Sequence, residues 1–315
     1  LDVKNRCWSE EMIQICGITR EQLPKLYESW EVVGTLRPEL AAELGFSPEV
    51  KIVAGAGDNA AAAVGTGTVG DGQCNISLGT SGTIFISSKE FGVDQNNALH
   101  SFCHADGSYH LMGCMLSAAS CNKWWSEEIL GTKDYSAEQA PIKELGENHV
   151  YFLPYLMGER SPWWNANVRG SFLGLSGATN KADMLRAVLE GATYNMRLIL
   201  DDIRKMNRFE GEMNMIGGGA KGDVWAQMFA DAFNMTVYKP QTVEEATSFG
   251  AVILAAVGIG AIPDFDSAKK LIRIISQNNP NAERTKIYEE RARIFKDAYL
   301  ALEPLAKRIL MGGNN

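Results

Sequence analysis

The chain has 315 residues, 45% of them hydrophobic and 22% charged, which is enough to bury a substantial core and rules out a disordered chain. Its formal net charge is −8 and it has no Lys/Arg-rich run, so nucleic acid is not expected as a main partner. Six cysteines without a CxxC pair, no signal-peptide pattern and no 18-residue apolar run argue against a disulfide framework and a membrane span, and read as a soluble, reduced, cytoplasmic protein.

Leu1 rather than Met opens the chain and the sequence runs at once into a helical pattern, which reads as a start inside a domain. Ser9 heads a short helix that Gly17 ends, and Thr19 with Gln22 offers a capping box for a second. Residues 31–36 read as a strand, Pro38 suits the first turn of a helix and Gly45 ends it. The stretch KIVAGAGDNAAAAVG, residues 51–65, follows as a short buried strand, a glycine-flanked turn and an alanine-rich helix. Four glycines in GTGTVGDG then mark a domain boundary after residue 65.

Residues 73–78 and 83–88 flank Gly79-Thr80-Ser81-Gly82, and residues 101–105 and 109–113 flank Asp106-Gly107; both pairs read as hairpins. The rhythm turns helical from Cys114 to about residue 130 and again over residues 136–145, before a strand at 150–153. A long loop rich in Gly, Asn and aromatics follows, and Asn180 caps the longest predicted helix, residues 181–206. Strand 213–216, glycines 217–219, helix 223–233, strand 236–238 and helix 244–257 form a β-α-β-α run, which implies parallel pairing. A polar stretch near residues 277–281 leads to a last helix over residues 285–309.

Asp58 is the candidate general base. Glycines on both sides of Ala56 let the backbone bend toward a ligand, and a carboxylate at a helix N-terminus is electrostatically favoured. The plain alternative is that Asp58 caps its helix. Three glycine clusters, at 55/57, 79–82 and 217–219, could cradle phosphates, but none fits a P-loop. The first matches the relaxed dinucleotide fingerprint, so a Rossmann oxidoreductase is the rival. The next predicted strand lacks the ribose-binding acid, however, and Asp58 would repel the pyrophosphate. Thr80 and Ser81 offer hydroxyls and backbone N–H groups for anionic oxygens, or form an ordinary turn. Glycines 217–219 admit a flat ring or a phosphate, or serve helix–sheet packing. His100, Cys103, His104 and His110 fall on a hairpin whose alternation separates Cys103 from the neighbouring histidines, so no metal ligands are assigned.

In order along the chain, VAGAGDNAAAAVG, ISLGTSGT, FLPYLMGERSP, GSFLGLSGATNKADMLRAVLEG, IGGGAKGDVWAQMFAD and FGAVILAAVG together resemble the FGGY carbohydrate kinases, from residue 1 to the final helix. The resemblance implies an α/β, actin/hexokinase-like (ribonuclease H-like) lobe with a mixed sheet and flanking helices, plus the tail of a second similar lobe. Residues 1–65 would be the tail of an N-terminal sugar-binding lobe and residues 66–315 the nucleotide-binding lobe, with a substantial portion preceding the position that matches Leu1. It further implies Asp58 as catalytic base and sugar contact, Asn59 as a second sugar contact, Gly79, Thr80, Ser81 and Gly82 at the ATP phosphates, and Trp124, Gly218, Gly219 and Asp223 at the adenosine. Several relatives carry Asn in place of Asp223.

The implied reaction is ATP- and Mg²⁺-dependent phosphorylation of a sugar hydroxyl, with D-xylulose the first candidate and gluconate, ribulose or glycerol the alternatives. Asn59 after Asp58 favours xylulose over glycerol, since glycerol-phosphorylating members more often carry Gln there. No complete Mg²⁺ site is readable in these residues. The implied partners are a small sugar and ATP rather than nucleic acid or membrane, with room for a homodimer. A further reading keeps the nucleotide pocket without turnover, as a non-catalytic actin-like or sugar-sensing protein, and the presence of Asp58 argues against it.

Overall fold

The structure, a computed structural model, describes residues 1–206, 209 and 211–311. The chain opens with α1 (Glu10–Cys16), whose N-cap Ser9 accepts from the Met12 N–H and whose C-cap Gly17 takes a left-handed conformation at φ 65°. The Thr19/Gln22 capping box forms, but around a single 3₁₀ turn and not a second helix. β1 (Val32–Thr35) and β2 (Lys51–Val53) pair antiparallel as a small sheet, with α2 (Pro38–Leu44) between them. α3 (Asp58–Gly65) follows the glycine turn.

A seven-stranded sheet organises the rest. Its strands are β3 (Cys74–Leu78), β4 (Gly82–Ser88), β5 (His100–Cys103), β6 (Tyr109–Met115), β9 (Glu212–Ile216), β10 (Thr236–Pro240) and β11 (Ile274–Asn278), in the order β11-β10-β9-β3-β4-β6-β5. Both predicted hairpins form, β3 with β4 and β5 with β6 antiparallel, while β9 pairs parallel with β3 and β10 as the β-α-β-α rhythm requires. A separate pair, β7 (Tyr151–Leu153) and β8 (Ser171–Leu173), lies outside this sheet.

Several expectations were wrong. The helical stretch from Cys114 begins only at α4 (Ala119–Lys123), because β6 runs on to Met115 against β4, and it continues as a π-helical turn over Trp124–Ile129. The helix expected over residues 136–145 is α5 (Tyr135–Gln139) alone: Pro141 disfavours a helical residue before it and offers no N–H. β8 lies within the stretch read as loop. β11 (Ile274–Asn278) runs into the first two residues of the stretch read as a polar linker, and is preceded by a short helix, α9 (Phe265–Lys269), that the sequence did not suggest.

α6 (Lys181–Arg204), α7 (Asp223–Phe233), α8 (Ala246–Gly258) and α10 (Ala282–Met311) supply the flanking helices. Asn180 caps α6 as predicted, accepting from the Ala182 and Asp183 N–H groups. α6 brings Leu185, Val188, Leu189, Met196, Ile199 and Leu200 into the core, where they meet Ile76, Ile84, Trp225 and Phe229. Buried Glu190 accepts from the Tyr288 hydroxyl, and Arg291 donates to the Tyr194 hydroxyl; these bonds tie α10 to α6. His110 stacks on Phe85 at 4.0 Å between ring centroids, and burial pushes its pKa down to about 2, so it stays neutral as a packing group.

α3 is placed by its crossing with α8. A Cβ on Gly65 would lie 1.9 Å from the Ala246 carbonyl oxygen, and one on Gly250 would lie 1.8 Å from that of Ala61. The two helices thus touch backbone to backbone, which only glycine allows at these positions. No described helix is long and apolar enough to cross a membrane.

Candidate active site

Asp58 is the first residue of α3 and is exposed; Gly57, not Asp58, is the N-cap. The turn before it needs Gly55 at φ 81°, a backbone conformation that side chains rarely adopt. Asp58 Oδ1 accepts from the backbone N–H of Asn59 at 2.8 Å and from Asn59 Nδ2 at 3.1 Å. Oδ2 has no hydrogen-bond partner among the described residues. One carboxylate oxygen is thus turned to the first turn of α3, and the other is left without a partner there. Asn59 in turn accepts from the Thr83 hydroxyl at 3.4 Å, which links the base of α3 to the start of β4.

The 79–82 turn joins β3 to β4. Its carbonyls are held from behind by the chain between β6 and α4: Ala118 N–H donates to Thr80 O and Ala119 N–H to Gly79 O, both at 3.0 Å. The Thr80 and Ser81 side chains are exposed and bond to no described residue. Gly82 is buried, and a Cβ there would lie 2.9 Å from that of Ala118, so it serves packing behind the turn. Across from it, Gly217 leaves β9 at φ 86°, and its added Cβ would meet Leu78 O at 2.6 Å. Gly219 is as tightly packed, with Leu78 and Trp225 both within 3.0 Å of its added Cβ, whereas Gly218 faces open space.

Between these turns lies a cavity of about 540 Å³, lined by Gly79, Thr80, Gly218 and Gly219 together with Ser120, Asn122, Gln139 and Lys221. A second, of about 280 Å³, is lined by Asp58, Asn59, Ser77, Gly218 and Glu244. Gly218 borders both. Lys221 of the first and Glu244 of the second pair at 2.6 Å across that border. Sequence reasoning missed Ser120, Asn122 and Gln139. Ser120 Oγ and Asn122 Oδ1 are buried and have no hydrogen-bond partner among the described residues, which marks them as polar groups available to a ligand.

Two expected contacts lie elsewhere. Trp124 is not on the cavity wall; its ring stacks on Phe152, 6.0 Å between centroids, at the edge of the core. The Asp223 carboxylate, at the start of α7, pairs with Lys239 Nζ at 2.5 Å, and only its neighbour Gly222 lines the cavity. Among the described residues no three His, Cys, Asp or Glu side chains gather as a metal site.

Behind the cavity Glu159 is almost wholly buried, at 3% exposure, and desolvation pushes its pKa up to about 8 against the stabilising Leu116 and Arg160 N–H groups. The folded protein therefore keeps a proton that the unfolded chain releases near pH 4.5. Between these values the native state binds more protons, so stability falls as pH rises, by up to about 1.4 kcal/mol per pH unit, and the effect levels off above pH 8. Urea unfolding of wild type and Glu159→Gln from pH 5 to 9 checks this: the difference in stability between the two should carry that slope.

The FGGY family C-terminal domain model matches residues 74–259 and the N-terminal domain model residues 1–65. Xylulose kinase of Escherichia coli K12 is 39% identical over 314 residues, 97% of this chain and 63% of its own. Among solved structures, the xyloylose kinase of Brucella ovis superimposes with a TM-score of 0.90 at 35% identity, covering 97% of this chain and 63% of its own. Gluconate kinase of Lactobacillus acidophilus gives a TM-score of 0.90 at 27% identity, covering 98% and 63%. The chain thus spans 63% of the length of these relatives, and the expected actin/hexokinase-like architecture, with its mixed sheet and flanking helices, is met.

Proposed function

The chain belongs to the FGGY family of carbohydrate kinases, and on that premise we propose that its two cavities form the two halves of an ATP-dependent sugar kinase site, with D-xylulose the preferred acceptor. The observation that carries the reading is the shared border at Gly218. A nucleotide lying between 79–82 and 218–219 would have its phosphate end at that border, and Asp58 stands beyond it. Gly79, Thr80 and Ser81 would face the phosphates; Gly218 and Gly219, with Ser120 and Asn122, would hold the nucleoside.

In the transfer, Asp58 accepts the proton of the sugar hydroxyl as its oxygen bonds to the γ-phosphorus, the bond to the β–γ bridging oxygen breaks, and ADP leaves. Asn59, bonded to Asp58, would keep that carboxylate oriented and contact the sugar. Magnesium would offset phosphate charge, but Asp58 and Glu244, the latter already paired with Lys221, do not make a site for it by themselves.

Residues 1–65 are assigned to the sugar-binding lobe, with Asp58 near its end, and residues 66–315 to the nucleotide-binding lobe. A cytoplasmic location fits a chain whose six cysteines are all free. A gluconate kinase with the same architecture supports gluconate as the second substrate reading. A coupled assay with D-xylulose, D-ribulose, gluconate and glycerol, run on a protein that carries both lobes, tests the proposal. D-xylulose should give the highest kcat/KM; preference for gluconate or glycerol overturns the substrate, and ATP binding without transfer to any acceptor favours the non-catalytic reading.

A further inference from the structure

Beside the cavity, residues 159–161 run against the end of β6. Ser161 N–H donates to Cys114 O at 3.0 Å, and Cys114 N–H donates to Ser161 Oγ at 3.2 Å. Glu159 closes this contact from inside: its Oε1 accepts from Leu116 N–H at 2.7 Å and Arg160 N–H at 2.8 Å, and its Oε2 accepts from Asn195 Nδ2 at 3.1 Å. Leu116 is two residues from Ala118, where the chain begins to donate to the carbonyls of the 79–80 turn.

The direction of every bond in this network is fixed. Trp163 Nε1 can only donate, and it does so to the Tyr155 hydroxyl at 2.8 Å; Tyr155 must then donate onward to Asn195 Oδ1 at 3.1 Å. That leaves the Asn195 amide nitrogen facing Glu159, and it donates to Ser161 O at 3.3 Å as well. Three donors thus converge on one carboxyl group and no acceptor among the described residues meets it, an arrangement complete only for the ionised form. The groups facing it are Arg160 from its own loop, Cys114 of β6, Cys121 of α4, Tyr155, and Tyr299 of α10. Burial pushes both thiols and both phenols up, so Arg160 is the one charge among them.

We propose that Glu159 is a positioning residue for nucleotide binding: its carboxylate fixes the β6–α4 connection, and through Ala118 and Ala119 that connection holds the 79–80 turn in its phosphate-facing shape. The inference rests on the nucleotide reading of that turn. The raised pKa makes it testable, because the hold on the turn should weaken as pH falls through about 8 and the carboxylate takes up its proton.

Glu159→Gln keeps the volume and the oxygen that Leu116 and Arg160 address, but sets an amide nitrogen against Asn195 Nδ2. Adding Asn195→Asp to that variant restores a donor–acceptor match there and leaves a carboxylate oxygen at position 195 for Tyr155, while giving up the weaker 3.3 Å bond to Ser161 O. ADP and ATP affinities are measured by calorimetry on the chain at pH 9 and 6.5, together with hydrogen exchange at the Ala118 and Ala119 amides. At pH 9 Glu159→Gln should bind about tenfold more weakly, the size of one hydrogen bond to a charged group, and should exchange faster at both amides. At pH 6.5, where Glu159 is protonated, wild type should converge on the variant, and the double variant should recover affinity at pH 9. Wild-type-like exchange and affinity in Glu159→Gln at pH 9 overturns the proposal, as does a loss of equal size at both pH values that the double variant does not recover. Failure of wild type itself to bind nucleotide overturns the reading of the site, while the exchange rates still report whether Glu159 holds the turn.

Discussion

Asp58→Asn should reduce phosphoryl transfer by about 10²–10⁴-fold, the usual loss on removing a general base, while nucleotide affinity stays within about twofold. The amide keeps the shape of the side chain and can still accept from the Asn59 N–H, but it cannot take up the proton of the attacking hydroxyl. Fold stability should hardly change, since the side chain is exposed and Gly57 occupies the cap position. The comparison is made by coupled assay in a background where the wild type shows transfer, with nucleotide binding measured alongside. If more than about a tenth of the activity survived, Asp58 would be a helix-terminus residue and the base would have to be sought elsewhere in the cavity.

What could be read from the sequence is what local chemistry decides. Asp106-Gly107 and the glycine-bounded 79–82 turn specify their hairpins within a few residues, and Asn180 with Asp183 fixes the start of α6 by hydrogen bonds that span three positions. The glycine turns at 55–57, 79–82 and 217–219 were legible as turns for a similar reason, since a chain that must bend sharply favours glycine. β11 was not legible. Its five residues are mostly exposed and show no alternation, and they form a strand because the edge of β10 is there to pair with. β8 likewise exists only through β7.

Ser120, Asn122 and Gln139 escaped notice because a polar residue in a helical stretch reads as solvated, and only the fold shows that these three turn toward a cavity. Glu159 is the extreme case. Nothing near it in sequence announces a buried carboxylate, and its partners Leu116 and Asn195 come from 43 and 36 residues away. The two large corrections in helix extent have different causes: residues 114–115 and 140–145 have helical composition, but a strand register claims the first and Pro141 stops the second.

Gly250→Ala should cost both stability and turnover, although residue 250 lines neither cavity. The added Cβ would lie 1.8 Å from the Ala61 carbonyl oxygen and 3.0 Å from Gly65 N, where an ordinary contact needs more than 3 Å to the oxygen. Both obstacles are backbone, so no rotamer change relieves them, and α3 must shift from α8 by about 1 Å. Overpacking of this kind typically costs ~1–3 kcal/mol, to be read as a lower urea midpoint. Asp58 lies one helical turn before Ala61 on α3, so the same shift moves the carboxylate relative to the 79–82 turn, which is anchored separately by Ala118 and Ala119. A displacement of 1 Å at a reacting group can cost about 10²-fold in rate. Transfer should therefore fall by that order while nucleotide affinity, set on the other side of Gly218, changes little. Gly65→Ala, which drives a Cβ to 1.9 Å from Ala246 O at the same crossing, should reproduce the effect. Loss of stability with unchanged kcat in both variants would mean that Asp58 is positioned independently of the α3–α8 contact, and that the close crossing serves the fold alone.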